Sequence, residues 1–229
     1  MGDLTIVFGK SVLPKARTGV AGACIISPSS VILAHMSKGR LEAFSDGVIA
    51  ILITIMVLEL HVPEGADWAA LRGQAPIFLS YVLSFVFLGI YWNNHHHLFQ
   101  AAKQVNGAAL WANLHLLFWL SLIPFATGWM AENHAAPTPT AGFGVVLLMA
   151  GVAYYILQQM IVARQGRDSA LARALGTDWK GHLSPLIYLA AIPLAFVNSW
   201  ISNGLYALVA MLWLVPDRRL ERVVRGETR

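Results

Sequence analysis

The first long apolar stretch of the chain begins with a group of polar and charged residues and carries no charge after them. Residues 40–47 have the sequence RLEAFSDG, and residues 48–58, which follow, carry no charge. A carboxylate such as that of Asp46 costs about 2.5–3.5 kcal/mol at the centre of a bilayer and less near its edge, so it faces protein, water or headgroups. Asp46 is therefore either part of a buried polar network or an interfacial group solvated by headgroups.

Six residues recur along this stretch at alternating intervals of four and three. They are Arg40, Phe44, Gly47, Ile51, Thr54 and Leu58, and we call this set the heptad stripe. A period of 3.5 residues suits a helix that packs against copies of itself, although most membrane helices carry some such stripe. Around a symmetry axis, this stripe predicts a wide polar mouth followed by a narrow apolar constriction, in which Ile55 could share the lining with Thr54.

Histidines cluster at the end of the second apolar stretch and recur in the third. His95, His96 and His97 are consecutive, and His115 lies near the same predicted depth. Three interpretations are open: a hydrogen-bonded network that fixes the first span against its neighbours, a zinc, copper or iron site, or an interfacial cluster near headgroups. Because consecutive helical side chains point about 100° apart, the three adjacent histidines cannot all face one ion.

The composition is that of an integral membrane protein. Apolar residues make up 57% of the chain and charged residues 12%, and the mean hydropathy is +0.60. A soluble domain carries about 25% charged residues. Since a helix needs about 20 apolar residues to cross a bilayer, we predict an all-α protein with six transmembrane helices, at about 40–60, 76–99, 108–131, 141–163, 183–199 and 203–216.

Local sequence features refine these spans. The polar residues 198–204 predict a tight turn between the two short final spans. Pro124 and Pro193 are expected to kink the third and fifth spans. Glycines in the fourth span are expected to allow close helix packing. Tryptophans near the span ends are expected to lie at the membrane interfaces. Neither group is assigned more than a structural role. These residues are Gly142, Gly144 and Gly151, and Trp68, Trp92, Trp129 and Trp200.

The charges predict the topology. All but one of the 16 lysines and arginines lie before the first span, after the second, after the fourth or after the sixth, and Arg72 alone lies on the opposite side. Cytoplasmic loops are enriched in these residues, so both termini are predicted to be cytoplasmic. Because the charges sit at the ends of apolar stretches, the pI of 9.4 does not indicate a nucleic-acid partner.

Three parts of the chain follow from this organisation. Residues 1–35 are predicted to be a disordered extension or to precede the natural start, because the apolar segment at residues 19–34 is too short and too interrupted for a transmembrane span. Residues 36–216 form the six-helix transmembrane unit, and residues 217–229 form a basic cytoplasmic tail. The single cysteine, Cys24, excludes an intrachain disulfide and a cysteine-based metal site.

The motif Arg-x-x-x-Phe-Ser-Asp-Gly at residues 40–47 resembles the signature of the transmembrane protein 175 family, the lysosomal potassium channels and their bacterial relatives. The runs WNNHHH at residues 92–97 and SLIPFAT at residues 121–127 support the resemblance, which extends over residues 40–216. The resemblance implies the bacterial form, a potassium channel with one six-helix unit per chain, assembled as a homotetramer in the plasma membrane. It implies no enzymatic activity, cofactor or metal.

The resemblance also implies roles for individual residues. Four copies of the first span would line the pore, with the principal hydrophobic constriction at Ile51 and neighbouring pore layers at Thr54, Ile55 and Leu58. An apolar ring can gate by dewetting, and its radius sets the cost of partial ion dehydration. The motif and its supporting polar network on the cytoplasmic side would comprise Arg40, Phe44, Ser45, Asp46, Gly47, His95, His96 and His115.

Two other functions are considered. A proton-conducting protein or proton-coupled transporter would use Asp46 and the histidines, although transporters usually show inverted repeats and helices broken at mid-membrane. A less favoured alternative is an intramembrane metalloenzyme, which would need His115 and one of the three adjacent histidines at one depth.

Overall fold

The computed structural model describes residues 38–166, 169, 171–173 and 179–214. The predicted extension at residues 1–35 and the tail at residues 217–229 lie outside the described residues. The described part is helical, and no strand occurs in it. Its elements are α1 (Lys38–Ile55), which continues as a 3-10 turn (Met56–Glu59), α2 (Trp68–Gly73), α3 (Ala75–Ala101), α4 (Gly107–Ser121), α5 (Ile123–Glu132), α6 (Pro137–Gln165), α7 (Trp179–Leu194) and α8 (Ser199–Leu214).

Four helical segments of the described residues are long and apolar enough to cross a membrane. They are Lys38–Glu59, Ala75–Ala101, Gly107–Glu132 and Pro137–Gln165, and they coincide with the first four predicted spans. Helices α7 and α8 contain 16 residues each, so each reaches about 24 Å. They are shorter than the other four segments, as the sequence predicts.

Proline and asparagine residues set the helix boundaries of the third span. Asn106 caps α4, since its Oδ1 accepts a hydrogen bond from the Ala109 backbone N–H at 2.9 Å. Pro124 lacks the N–H that would bond the carbonyl of Leu120, and the helix is interrupted at Leu122 between α4 and α5. The helix is thus interrupted two residues before Pro124, in the region where a kink is predicted.

The turn between the last two helices lies earlier than the sequence predicts. Residues 199–204 are helical, and the turn comprises residues 195–198, so the predicted turn at residues 198–204 is wrong in its position. The polar side chains there do not unwind the helix. Asn198 Oδ1 accepts from the Trp200 N–H at 2.9 Å, and the Ser202 hydroxyl donates to the Ala191 carbonyl at 2.7 Å. These bonds cap α8 and tie it to α7.

Helix α6 is at the centre of the described part of the chain, and α1 lies at its edge. Helix α6 packs against α4, α5, α7 and α8, whereas α1 packs against α3 and α4. Leu147, Ala150 and Leu157 of α6 are completely buried. Because α1 is covered on one side only, the other side of this helix is available to lipid or to another subunit.

A glycine in α6 makes room for a tyrosine of α8. The Tyr206 hydroxyl lies directly against the Gly144 backbone and donates to the Thr140 carbonyl at 3.2 Å. A methyl group at Gly144 would overlap this hydroxyl and lie 2.8 Å from Tyr206 Cζ. The predicted close packing at Gly144 is therefore present in the structure.

We expect Gly144→Ala to destabilise the protein by about 1–3 kcal/mol, the usual cost of overpacking. Gly151→Ala is the matched control on the same helix, since its methyl group would meet only the Tyr91 hydroxyl, at 3.8 Å. The control should be neutral or slightly stabilising, because alanine favours a helix. Thermal unfolding of both variants in detergent measures the difference, and equal melting temperatures would contradict the packing argument.

Candidate functional site

Helix α1 has two faces of different environment. One face is buried within the chain and consists of Leu41, Ser45, Ile49, Leu52 and Met56. The other face is exposed in the single chain and contains all six residues of the heptad stripe, together with Ile55. Ile51 is 60% exposed and Leu58 is 77% exposed. In the part of the chain that the structure describes, the stripe is therefore exposed.

The exposed face becomes apolar after its first turns. Phe44 and Gly47 are exposed near the start, and Ile51, Ile55 and Leu58 follow toward the other end. The one hydroxyl in residues 48–58, that of Thr54, donates to the Ile51 carbonyl at 2.8 Å. The hydroxyl proton of Thr54 is thus used in a hydrogen bond within the helix. Such a surface suits contact with lipid or, around an axis, a narrow apolar passage.

A directed chain of hydrogen bonds joins α1 to α3 and α4. His95 Nε2 lies 2.8 Å from Asn113 Oδ1, and Asn113 Nδ2 donates to Ser45 Oγ at 2.8 Å. The Ser45 hydroxyl in turn donates to the Leu41 carbonyl at 2.9 Å. Since Ser45 uses its proton on Leu41, it accepts from the amide of Asn113, and the amide oxygen is left to accept from His95. All three side chains are completely buried.

A second row of contacts runs along the α1–α3 boundary. The Trp92 indole N–H donates to Asp46 Oδ1 at 3.1 Å, and His96 Nδ1 lies 3.1 Å from Glu42 Oε1. One turn further, the Lys38 ammonium donates to the Ala102 carbonyl at 3.0 Å, at the end of α3. These contacts are spaced along two antiparallel helices, so they fix both the register and the rotation of α1.

The rotation of α1 decides what its exposed face presents. Ser45, Asp46 and Glu42 hold one side of the helix toward α3 and α4 through the contacts above. Ile51 then lies on the opposite side. The polar contacts at the start of α1 therefore orient the apolar stripe that follows them.

The predicted polar residues lie in different surroundings. Ser45, Asp46, His95 and His96 all take part in contacts between α1 and its neighbours. His115 instead accepts from the Trp119 indole N–H of its own helix at 2.9 Å. Arg40, Phe44 and Gly47 lie on the exposed face of α1.

Sequence reasoning missed three participants in these contacts: Lys38, Glu42 and Trp92. Glu42 and Asp46 are four residues apart, as are Trp92 and His96. This matching spacing on two neighbouring helices was a usable signal. Trp92 was assigned only to an aromatic belt, whereas its indole bonds the motif carboxylate.

The adjacent histidines point to different partners, as helix geometry requires. His95 faces Asn113, and His96 faces Glu42 and Gln100, whose Nε2 lies 2.7 Å from His96 Nε2. Among the described residues, no three potential metal-ligating side chains of histidine, cysteine, aspartate or glutamate come together. His95 and His96 thus take part in contacts of the kind that the network interpretation predicts.

Comparisons with known proteins agree with this architecture. A family model described as the endosomal/lysosomal potassium channel TMEM175 matches residues 40–124, from α1 into the start of α5. A protein of Chryseobacterium sp. (strain P1-3) that is named as a potassium channel is 53% identical over 190 residues, which cover 83% of this chain and 99% of that protein. The chain belongs to the TMEM175 family. The expected family resemblance is therefore confirmed.

Further TMEM175 relatives extend the comparison. The crystal structure of a lysosomal potassium-selective channel TMEM175 homologue from Chamaesiphon minutus matches with a TM-score of 0.70 and 27% identity, and covers 79% of this chain and 97% of that chain. A rat protein named endosomal/lysosomal proton channel TMEM175 is 35% identical over 114 residues, 44% of this chain and 23% of that protein. Some relatives in the TMEM175 family are thus named as potassium channels, and the rat relative is named as a proton channel.

Proposed function

We propose that this chain is a subunit of a potassium channel in which several copies of α1 surround a common axis. One observation carries this proposal: the subunit leaves the whole heptad stripe of α1 uncovered. A helix with both an interior face and an uncovered 3.5-residue repeat is suited to pack around an axis with copies of itself. Family membership and the names of the bacterial relatives support potassium as the permeant ion.

The pore is proposed to narrow at an apolar constriction rather than at a filter of backbone carbonyls. Ile51 forms its principal ring, and Thr54, Ile55 and Leu58 line neighbouring layers. An apolar ring offers no ligands to an ion, so the ion passes only with part of its hydration shell removed or compressed. Potassium holds its water less tightly than sodium does, and partial dehydration therefore favours potassium.

The assembly is proposed to be a homotetramer of six-span subunits with both termini on the cytoplasmic side of a bacterial plasma membrane. Helices α7 and α8 are the fifth and sixth spans, and local thinning of the bilayer accommodates their length. The bond of Lys38 to the Ala102 carbonyl supports the topology, since it brings the start of the first span beside the end of the second. The polar contacts around Ser45 and Asp46 brace the pore helix on this side.

Recording from the purified protein in planar bilayers tests the potassium proposal. With potassium on one side and sodium on the other, we expect the reversal potential to lie toward the potassium equilibrium potential. A reversal potential near zero would reject selectivity. A well-folded preparation without current would reject the channel itself.

Proton conduction is the second candidate function, favoured by the names of the animal TMEM175 relatives. A thread of water through an apolar constriction can also pass protons, so the two functions are compatible. The same bilayers with symmetrical potassium and a pH gradient separate them. A reversal potential that follows the pH gradient would assign proton permeability, and one that stays at zero would remove it.

A further inference from the structure

The end of α1 that lies opposite the motif carries a single carboxylate, that of Glu59. The 3-10 turn that continues α1 ends at this residue, which directly follows Leu58 of the heptad stripe. Glu59 comes three residues after the buried Met56 and four after the exposed Ile55. It therefore lies at the boundary between the buried and the exposed face of this helix. It is also the first charged residue after Asp46.

A glycine of α5 makes room for this carboxylate. Glu59 Oε2 lies 2.6 Å, and its Cδ lies 3.3 Å, from the position that a Cβ atom would take at Gly128. The carboxylate is therefore packed against the backbone of α5, and the side chain is only partly exposed. Within the described residues it takes part in no ion pair and no hydrogen bond. The negative charge of Glu59 is thus held at a defined place and is not paired with a cationic side chain there.

Distance from the proposed axis decides which charges act on a permeating ion. Packed helices lie about 8–10 Å apart, so the Glu59 carboxylate of each copy of α1 would lie about 10 Å from a common axis. This distance is close to the Debye length of about 10 Å at 0.1 M salt. Helix α5 packs on the side of α1 that faces away from the axis. Glu132, exposed at the end of α5, therefore lies farther out and is screened more strongly.

We propose that Glu59 sets the rate at which cations enter the pore from its outer side. Each subunit contributes one carboxylate, and together these charges raise the local concentration of potassium at the mouth. The field acts on charge alone and attracts sodium equally, so Glu59 governs conductance and leaves selectivity to the apolar constriction. This inference rests on the proposed function, to which it adds the residue that controls ion entry.

Single-channel recording of Glu59→Gln tests this role, because glutamine keeps the size of the side chain and removes its charge. In symmetrical potassium at about 0.1 M, we expect the conductance to fall about two- to threefold. At about 1 M, where the Debye length is about 3 Å, the conductance should equal that of the unchanged channel. The potassium-to-sodium permeability ratio should not change. Glu132→Gln is the matched control and should conduct normally at both concentrations.

Glu59→Asp retains the charge and should retain the conductance at low salt. An undiminished conductance of Glu59→Gln at about 0.1 M would overturn the inference. A loss that persists at high salt would also overturn it, because an altered pore shape is not screened by salt, and so would an equal loss in Glu132→Gln. Absence of current from the unchanged protein would instead reject the proposed function itself. If size-exclusion profiles show that Glu59→Gln does not assemble, Glu59→Ala carries the same expectation.

Discussion

Replacing Ile51 with asparagine is expected to lower the potassium-to-sodium permeability ratio by roughly tenfold, equivalent to about 1.4 kcal/mol between the two ions' barriers. Ile51 is 60% exposed on the uncovered face of α1, where the proposed constriction is narrowest. Amide side chains around an axis would wet the constriction and offer ligands that replace lost water. Sodium, which holds its water more tightly, would gain most. Reversal potentials under bi-ionic conditions measure the change.

Ile201→Asn is the matched control for this experiment. Ile201 lies on α8 and is 48% exposed in the subunit, so the same polar substitution is made on an exposed surface away from α1. Its permeability ratio should equal that of the unchanged channel. A ratio that is unaffected in Ile51→Asn would remove Ile51 from the constriction, and an equal change in both variants would show a nonspecific effect of the asparagine.

The membrane part of the fold could be predicted because the bilayer imposes simple rules. Apolar length, proline positions and basic residues located the first four spans and the interruption near Pro124. The position of the last turn could not be predicted from the same rules. Asn198 and Ser202 are polar, and polarity indicated a break. Their hydrogen bonds within the α7–α8 hairpin satisfy that polarity without unwinding the helix.

The candidate site could be predicted where it depends on a single helix. The 3.5-residue period identified a stripe on α1, and every member of that stripe is exposed in the subunit. Partners from other helices were harder to find. Asn113 bonds Ser45 across 68 positions of the chain, and no local period connects two such residues. His115 and Asn113 are two residues apart on α4, and only tertiary packing decides that Asn113 faces α1.

The second large effect is a loss of stability when the buried hydrogen-bond chain from His95 through Asn113 to Ser45 is broken. Asn113→Leu is expected to destabilise the subunit by about 1–3 kcal/mol, because it leaves the His95 Nε2–H without an acceptor in a buried position. Ser45 contributes less to this cost, since its hydroxyl keeps its bond to the Leu41 carbonyl. Asn133→Leu is the control, because Asn133 is exposed and its substitution should change stability little. Unfolding in detergent, followed by tryptophan fluorescence, measures both.

A double substitution distinguishes the cost of an unpaired hydrogen-bonding group from the cost of altered side-chain packing. His95 stacks on Phe99 with ring centroids 4.4 Å apart, so a phenylalanine at position 95 can keep that contact. His95→Phe combined with Asn113→Leu removes both polar partners, and replacing both by apolar groups of similar shape can be nearly neutral. We therefore expect the double variant to be more stable than Asn113→Leu alone. If it is less stable, the cost of Asn113→Leu arises from packing, and the orientation of α1 does not depend on this hydrogen bond.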